Sequence, residues 1–335
     1  MGIRGLTDLI RESAPGGISS GPPSRYKGKV LAIDVSIFIH QLESAMPVLV
    51  NRRDENISVL KGLFNRTASM LKIGIKPLFV FDGKPPPMKH RKGEPRGRRT
   101  ATVNAAAQNT WRDLQKMLTL LGVPFVQAPG EAEATCASLV AKGLAWGTVT
   151  EDLDALPFGS TRMIRHLKAN QTEEVQEYDL PKILAELKMN RRQFVDLCIL
   201  LGCDYCKTIA GIGRKKALTM IQKHGNIEGI LRALPQERVP KDFPFQDARR
   251  LLLEPEVITV SAENLRWNPP DEEKLIQFLC KEKFLKESDI GNKLRKIRSE
   301  SPPLAKKRKV SADSSSQTQI KDFFPVAKSR RTDKN

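Results

Sequence analysis

Two short apolar runs that each end in aspartate constrain the fold of this chain more than any other feature. Residues 29–34 read Lys-Val-Leu-Ala-Ile-Asp and residues 77–82 read Pro-Leu-Phe-Val-Phe-Asp, the second stopped by Gly83. Runs this short and this apolar fit strands buried on both faces. Val123-Pro124-Phe125-Val126 is a third candidate and Gly147-Thr148-Val149-Thr150 a weaker fourth. Between them lie amphipathic stretches. Trp111, Leu114, Leu118 and Leu121 share one face of a helix over 110–121, and Phe194, Leu197, Cys198 and Leu201 do so over 191–201. This alternation over residues 1–290 predicts an α/β fold, a largely parallel central sheet flanked by helices. No internal repeat is evident.

All four candidate strands lead into acids. Asp34 and Asp82 end theirs, Glu131 and Glu133 follow the third, and Glu151, Asp152 and Asp154 follow the fourth. In an open parallel sheet, ligands bind outside the carboxyl ends of the strands, so acids placed there converge. Converging carboxylates repel unless a cation neutralises them. Hard oxygen donors select Mg²⁺ or Mn²⁺. A carboxylate-bound metal pair is a recurrent device for hydrolysing phosphodiesters. Taken alone, each Asp also reads as a turn residue or helix N-cap, and the two Glu as favourable charge at a helix N-terminus. Residues two apart do not share a helix face, so if Glu131 and Glu133 both reach a metal, one lies at or before the first turn.

Asp204 follows the 191–201 helix, in Gly202-Cys203-Asp204-Tyr205. Gly211-Ile212-Gly213 then opens a further helix with Arg214, Lys215 and Lys216, where free backbone N–H groups and cations suit a phosphate. Cys203 and Cys206 form a lone Cys-x-x-Cys with no second pair, short of the four ligands of a zinc ribbon. Five cysteines in 335 residues are no disulfide framework.

Net charge is +18 and unevenly spread. Residues 84–100 hold Lys84, Lys89, Arg91, Lys92, Arg96, Arg98 and Arg99 against Glu94 alone. Residues 293–335 hold thirteen Lys and Arg against four acids. Clustered charge suits a polyanion, because each neutralised phosphate releases counterions. Pro85-Pro86-Pro87, Gly93, Pro95 and Gly97 oppose helix across 85–97, which reads as a basic flexible loop; Ala101 to Ala107 can form a short helical piece. No apolar run approaches the roughly 18 residues of a membrane span, and the first residues lack a secretory h-region. The chain reads as soluble and intracellular, with no membrane partner.

Together, Met1 to Leu6, Ala32-Ile33-Asp34, Val80 to Pro86, Ala128 to Ala134, Thr150 to Asp154, Phe194 to Cys206 and Gly211-Ile212-Gly213 resemble the eukaryotic flap endonucleases, XPG/Rad2-like structure-specific 5′-nucleases. The similarity runs over about residues 1–285. It implies a PIN-like 5′-nuclease fold, a helical arch over the active site, and a helix–two-turn–helix element near 205–224 on downstream duplex. It implies that Asp34, Asp82, Glu131, Glu133, Asp152, Asp154 and Asp204 bind two Mg²⁺, with Mn²⁺ able to substitute. Glu131, Asp152 and Asp154 carry much of the direct ligation. Lys89 and Arg96 fall where the family has basic arch residues near the scissile phosphate, giving them a catalytic role. Arg66, Glu131, Gly202, Asp204, Gly211, Gly213, Lys215 and Lys216 match DNA contacts, and the 209–213 hairpin matches a potassium site.

The implied activity is 5′-flap endonuclease with 5′–3′ exonuclease, in Okazaki-fragment maturation and long-patch base excision repair. The rival is a clamp-tethered junction-binding protein with weak or no cleavage. Two departures bear on this. The segment from Asp82 to Glu131 is much shorter than the family norm, removing much of the arch. A few residues are absent between Gln41 and Val48, taking with them a DNA-contacting Arg, and His40 replaces a base-stacking Tyr.

The organisation reads as an N-terminal nuclease region with the basic arch segment (1–100), an internal nuclease region (110–240), a C-terminal part of the core (241–290) and a disordered basic tail (293–335). In the tail, Gln317, Ile320, Phe323 and Phe324 match the Gln-x-x-aliphatic-x-x-aromatic-aromatic box that binds the sliding clamp, proliferating cell nuclear antigen, implying a monomer on a trimeric clamp. Lys306-Lys307-Arg308-Lys309 resembles a nuclear import signal; its alternative is a DNA-binding charge run. Nuclear residence is expected, in nucleoplasm and nucleolus, with a mitochondrial pool as an addition.

Overall fold

Alternation of side chains along the two Asp-terminated strands sets the layers of the molecule. The computed structural model describes residues 2–45, 47–89, 101–167 and 174–300, with backbone only at 45, 101–107, 236 and 300. Its strands are β1 (Ile18–Gly21), β2 (Val30–Asp34), β3 (Lys76–Phe81), β4 (Phe125–Gln127), β5 (Gly147–Val149), β6 (Arg162–Arg165) and β7 (Val175–Asp179). They form one sheet in the order β1-β7-β6-β5-β2-β3-β4. Pairing from β6 through β5, β2 and β3 to β4 is parallel; β7 runs antiparallel to β6 and β1. Leu31 and Ile33 of β2 and Phe79 and Phe81 of β3 enter the core on one face, while Ala32, Leu78 and Val80 enter that on the other.

The helices are α1 (Leu6–Ser13), α2 (Val35–Ala45), α3 (Ser58–Lys72), α4 (Ala101–Leu120), α5 (Ala132–Ala141), α6 (Leu180–Leu187), α7 (Arg191–Leu201), α8 (Arg214–His224), α9 (Ile227–Ala233), α10 (Phe245–Leu253), α11 (Glu272–Ile276) and α12 (Glu287–Glu300). Residues from α2, α3, α4, α11 and α12 cover the first face. On the other face α5 packs over β2, β3 and β5. Ala134 and Ala137 of α5 join a further core built by α1 and α6 to α10. Across three of those helices, Arg249 of α10 grips Asp196 of α7 at 2.5 and 2.7 Å and Glu228 of α9 at 2.7 and 2.8 Å.

The largely parallel α/β sheet is as the sequence predicts, and α7 has the expected bounds, opened by a capping box between Asn190 and Gln193. Two readings change. Helix α4 starts at Ala101 and runs unbroken to Leu120 rather than opening at 110. The helix-poor reading of 85–97 holds for 85–89, while 90–100 lie outside the described residues. The boundary of the tail also moves. Residues 293–300, expected to be disordered, complete α12, because Ile290, Leu294 and Ile297 form a buried stripe at helical spacing among the charges. Residues 301–335 lie outside the described residues. The regions 1–100, 110–240 and 241–290 are parts of one compact unit that ends at Ser301.

Leu294 is 2 % exposed in the core against α3. Leu294→Ala is expected to cost about 2–4 kcal/mol, read from the urea unfolding midpoint. A loss within error of zero would return this segment to the tail.

Candidate metal-dependent nuclease centre

Every strand from β2 to β5 that delivers an acid points its carboxyl end to the same edge of the sheet. Asp34 is the last residue of β2 and is 1 % exposed. Its Oδ1 accepts hydrogen bonds from the N–H groups of Ser36, at 2.9 Å, and Ile37, at 3.4 Å, in the first turn of α2. Asp82, just past β3, reaches across to α5, where its Oδ1 accepts from the N–H of Ala132 at 2.7 Å. Asp82 therefore caps α5 from another strand. Glu131, at the N-cap position of α5, makes no side-chain cap bond and is left for other partners. Asp152 caps the short 3₁₀ turn Leu153–Ala155, accepting from the N–H of Asp154 at 3.1 Å.

Backbone contact between the ends of β3 and β4 brings Asp82 and Glu131 together. Gly83 N–H donates to the Gly130 carbonyl at 2.6 Å and Lys84 N–H to that of Pro129 at 3.0 Å. A Cβ on Gly83 would collide with the backbone of Ala128 and Pro129, so only glycine fits there. Gln127 Nε2 closes the same junction on the carbonyl of Asp82 at 2.5 Å.

The carboxylates interact strongly. Burial, then the Asp82 charge, pushes the Asp34 carboxyl up to about 8. Burial raises Glu133 well above the carboxylate range, with Asp34, Asp82, Asp152 and Glu131 adding to it. Burial raises Asp154 likewise, followed by Asp152 and Asp204. Glu131 lies at the N-cap and Glu133 in the first turn of α5, as two acids two residues apart require if they are to face one site. Lys89 Nζ sits 2.5 Å from Glu131 Oε1. Burial alone would lower the Lys89 ammonium, but Glu131 more than reverses this and holds it above its usual value. Glu133 and Asp204 add to that hold.

The buried Tyr205 hydroxyl donates to Glu131 Oε2. Burial, then Glu131, raises this phenol far above its ordinary value. Sequence reasoning gave Tyr205 no role, because the link to Glu131 spans two distant segments. Its only signal was its place beside Asp204. Glu151, one of the acids after β5, turns away to the Arg165 guanidinium at 3.3 Å and the His166 N–H at 2.7 Å.

Among the described residues no three His, Cys, Asp or Glu side chains form a ready ligand shell. The donor set is nonetheless all carboxylate, and Asp154 Oδ1 is buried with no hydrogen-bond partner among the described residues. Such hard oxygens, held protonated by burial and then by one another's charge, fit a divalent cation.

Other expected contacts surround this edge. Arg66 of α3 donates to Gln41 Oε1 at 2.7 Å and stacks over Phe38 with its guanidinium carbon 4.6 Å from the ring centroid. Gly202 closes α7 with a φ of 110°, which glycine alone adopts readily. Gly213 heads α8 without a side-chain cap, and Gly211, Lys215 and Lys216 are exposed. His40 is exposed midway along α2. Arg96, the import signal 306–309 and the clamp box 317–324 lie outside the described residues.

The XPG N-terminal domain matches residues 1–103 and the XPG I-region residues 122–204. Flap endonuclease 1 of Xiphophorus maculatus is 42% identical, covering 97% of this chain and 91% of the relative. The 357 aligned positions exceed the length of this chain, so the relative carries residues with no counterpart here. A flap endonuclease-1 structure from Methanococcus jannaschii superposes with a TM-score of 0.68 at 26% identity, covering 84% of this chain and 96% of that one. The catalytic core of Rad2 in complex with DNA substrate gives 0.72 at 25% identity, covering 88% and 99%. Fold and site thus define a metal-dependent nuclease that hydrolyses phosphodiester bonds in DNA. The chain belongs to the flap endonuclease family of XPG-type nucleases. Its activity is structure-specific flap cleavage, and its setting is DNA replication and repair.

The raised carboxyls carry a pH signature. Folded Asp34, Glu133 and Asp154 keep protons at pH values where the unfolded chain has lost them. Their stabilising contribution is whole below the ordinary carboxylate range and is lost as pH rises, through about 8 for Asp34. Without divalent cation the stability, followed by the melting temperature, is expected to fall from about pH 5 to about pH 8, by up to about 1.4 kcal/mol per pH unit for each extra proton held. Mg²⁺ should reduce the fall, and Asp34→Asn should flatten it. A slope unchanged in that variant would count against this account of Asp34.

Proposed function

We propose that the seven acids act as one two-ion site for 5′-flap removal. Glu131, Asp152 and Asp154 ligate directly, and Asp34, Asp82, Glu133 and Asp204 do so directly or through water. The observation that carries this reading is the convergence of acids from four strand ends and the α7–α8 turn within electrostatic reach of one another. Two bound Mg²⁺, or Mn²⁺ in their place, supply Lewis acidity to the scissile phosphate and its attacking water. The protein's own groups do the positioning. Asp82 and the α5 N-terminus hold each other, Tyr205 fixes one oxygen of Glu131, and Lys89 brings positive charge to where the phosphate reacts. Arg96 is assigned the same work as Lys89.

Arg66, Gly202, Gly211, Gly213, Lys215 and Lys216 hold duplex backbone, with Glu131 and Asp204 touching DNA at the metal edge. The uncapped N-terminus of α8 beside two exposed lysines supports a phosphate contact. A potassium ion at the 209–213 hairpin would screen that approach. The natural substrates are flapped, nicked or gapped duplexes, cut also by 5′–3′ exonuclease action, in Okazaki-fragment maturation and long-patch base excision repair. The basic signal 306–309 directs the chain to the nucleus, nucleolus included; a mitochondrial pool is a separate reading with no structural support of its own.

The segment between Asp82 and α4 is short and rich in Gly and Pro, a composition that disfavours helix, and is proposed to orient a flap weakly, because charge alone positions poorly. A labelled double-flap DNA tests site and segment together. Cleavage should require Mg²⁺, and Asp154→Ala should slow it by roughly 100-fold or more while binding survives. A bulky 5′ end-block added before the enzyme should inhibit only weakly. Near-normal turnover of the variant would remove the metal assignment, and strong inhibition by the block would show that flaps are threaded.

Phe323 and Phe324 are proposed to plug a hydrophobic pocket on the sliding clamp, with Ile320 and Gln317 completing the box. One chain, as a monomer, would sit on the trimeric ring. Replacing both Phe with Ala should abolish clamp binding in calorimetry and leave clamp-free cleavage intact. Unchanged affinity would rule the box out.

A further inference from the structure

The turn between α7 and α8 carries a chemistry that phosphodiester hydrolysis does not use. Cys203 and Cys206 hold their sulfurs 3.9 Å apart, because the chain turns at residues 204–206 and folds one back on the other. A disulfide needs about 2.0 Å, so the pair stands roughly 2 Å short of bonding. Cys203 is partly exposed and Cys206 buried, and both line a cleft of about 410 Å³ shared with Arg4, Asp204 and Lys207. The cleft admits a small oxidant. Cys136, Cys198 and Cys280 are buried, and none is a second member of such a pair.

We propose that Cys203 and Cys206 form a peroxide-sensitive dithiol, a modification site that links oxidation to the nuclease centre. Cys203, the exposed member, attacks one oxygen of hydrogen peroxide. The O–O bond breaks, leaving a sulfenic acid on Cys203 and releasing one water. The Cys206 thiol then attacks the Cys203 sulfur. The S–S bond forms, the S–O bond breaks, and the oxygen leaves as a second water with the Cys206 proton. Two electrons pass from the thiols to the peroxide.

The closed ring contains Asp204 and Tyr205. Tyr205 donates to Glu131, and Asp204 acts on Asp154 and Lys89 through its charge. Tightening the ring displaces both residues, so the oxidised chain cuts flaps more slowly. This last step rests on the nuclease reading; the dithiol does not.

The test uses the full chain treated with hydrogen peroxide, alkylated with iodoacetamide and read by peptide mass. Cys203 and Cys206 should become protected together, with the mass lower by two hydrogens, and a reductant should restore them. Cys203→Ser should abolish the protection, and in Cys206→Ser dimedone should trap a sulfenic acid on Cys203. Flap cleavage should fall roughly tenfold on oxidation, recover on reduction, and be insensitive to peroxide in Cys203→Ser. Two thiols still open to alkylation after peroxide would overturn the proposal. A disulfide that leaves cleavage unchanged would overturn its link to the site. A reduced chain that cuts no flap would count against the nuclease reading, with the mass arm still deciding the dithiol.

Discussion

Mutual repulsion among carboxylates at the carboxyl edge of the sheet is the constraint around which the rest is arranged. Parallel strands deliver their ends to one side, and this chain ends or follows four of them with acids. Left alone, such a cluster would destabilise the fold. Three devices limit the cost. Protons stay on Asp34, Glu133 and Asp154 at pH values where free carboxyls lose them. Lys89 sets a cation against Glu131. Helix N-termini do the remainder, since the first N–H groups of α2 meet Asp34 and that of α5 meets Asp82.

The helix-terminus arrangement also resolves a choice that each acid posed by itself. A lone Asp after a strand reads more often as a turn residue or N-cap than as a ligand. Here Asp34 and Asp152 cap local turns with one oxygen, which orients the carboxylate and leaves the other oxygen uncommitted to that cap. Asp82 caps α5 in place of Glu131, so capping in one part of the chain releases a carboxylate in another. Capping is thus compatible with the ligand role proposed for these carboxylates.

What the sequence revealed follows the same physics. Strands β2 and β3 were legible because burial on both faces leaves an unbroken apolar run. The edge side of the sheet was not, since β1 (Ile-Ser-Ser-Gly) and β7 (Val-Gln-Glu-Tyr-Asp) are polar and make no apolar run. Helix α12 was hidden by composition, because three buried aliphatics at helical spacing hold a segment otherwise full of Lys, Arg and Ser. Six of the seven acids were legible as residue types following strands, and Asp204 as one following a helix. The Tyr205–Glu131 bond, the Lys89–Glu131 pair and the cross-strand cap of Asp82 were not, because each depends on where distant segments meet.

Glu131 shows why a site of this kind is held under tension. Its two oxygens already have partners, Lys89 on one side and Tyr205 on the other. An ion held by Glu131, as proposed, would compete with the ammonium for the same oxygen. In the proposed reading, a Lys89 released from Glu131 would still lie within reach of Glu133 and Asp204, whose charges also act on it. The tyrosine can keep its bond while that exchange occurs, because it holds the other oxygen. Removing the repulsion by substituting neutral side chains would relieve the fold of buried charge, and it would remove in the same stroke the oxygens proposed to hold the divalent ions.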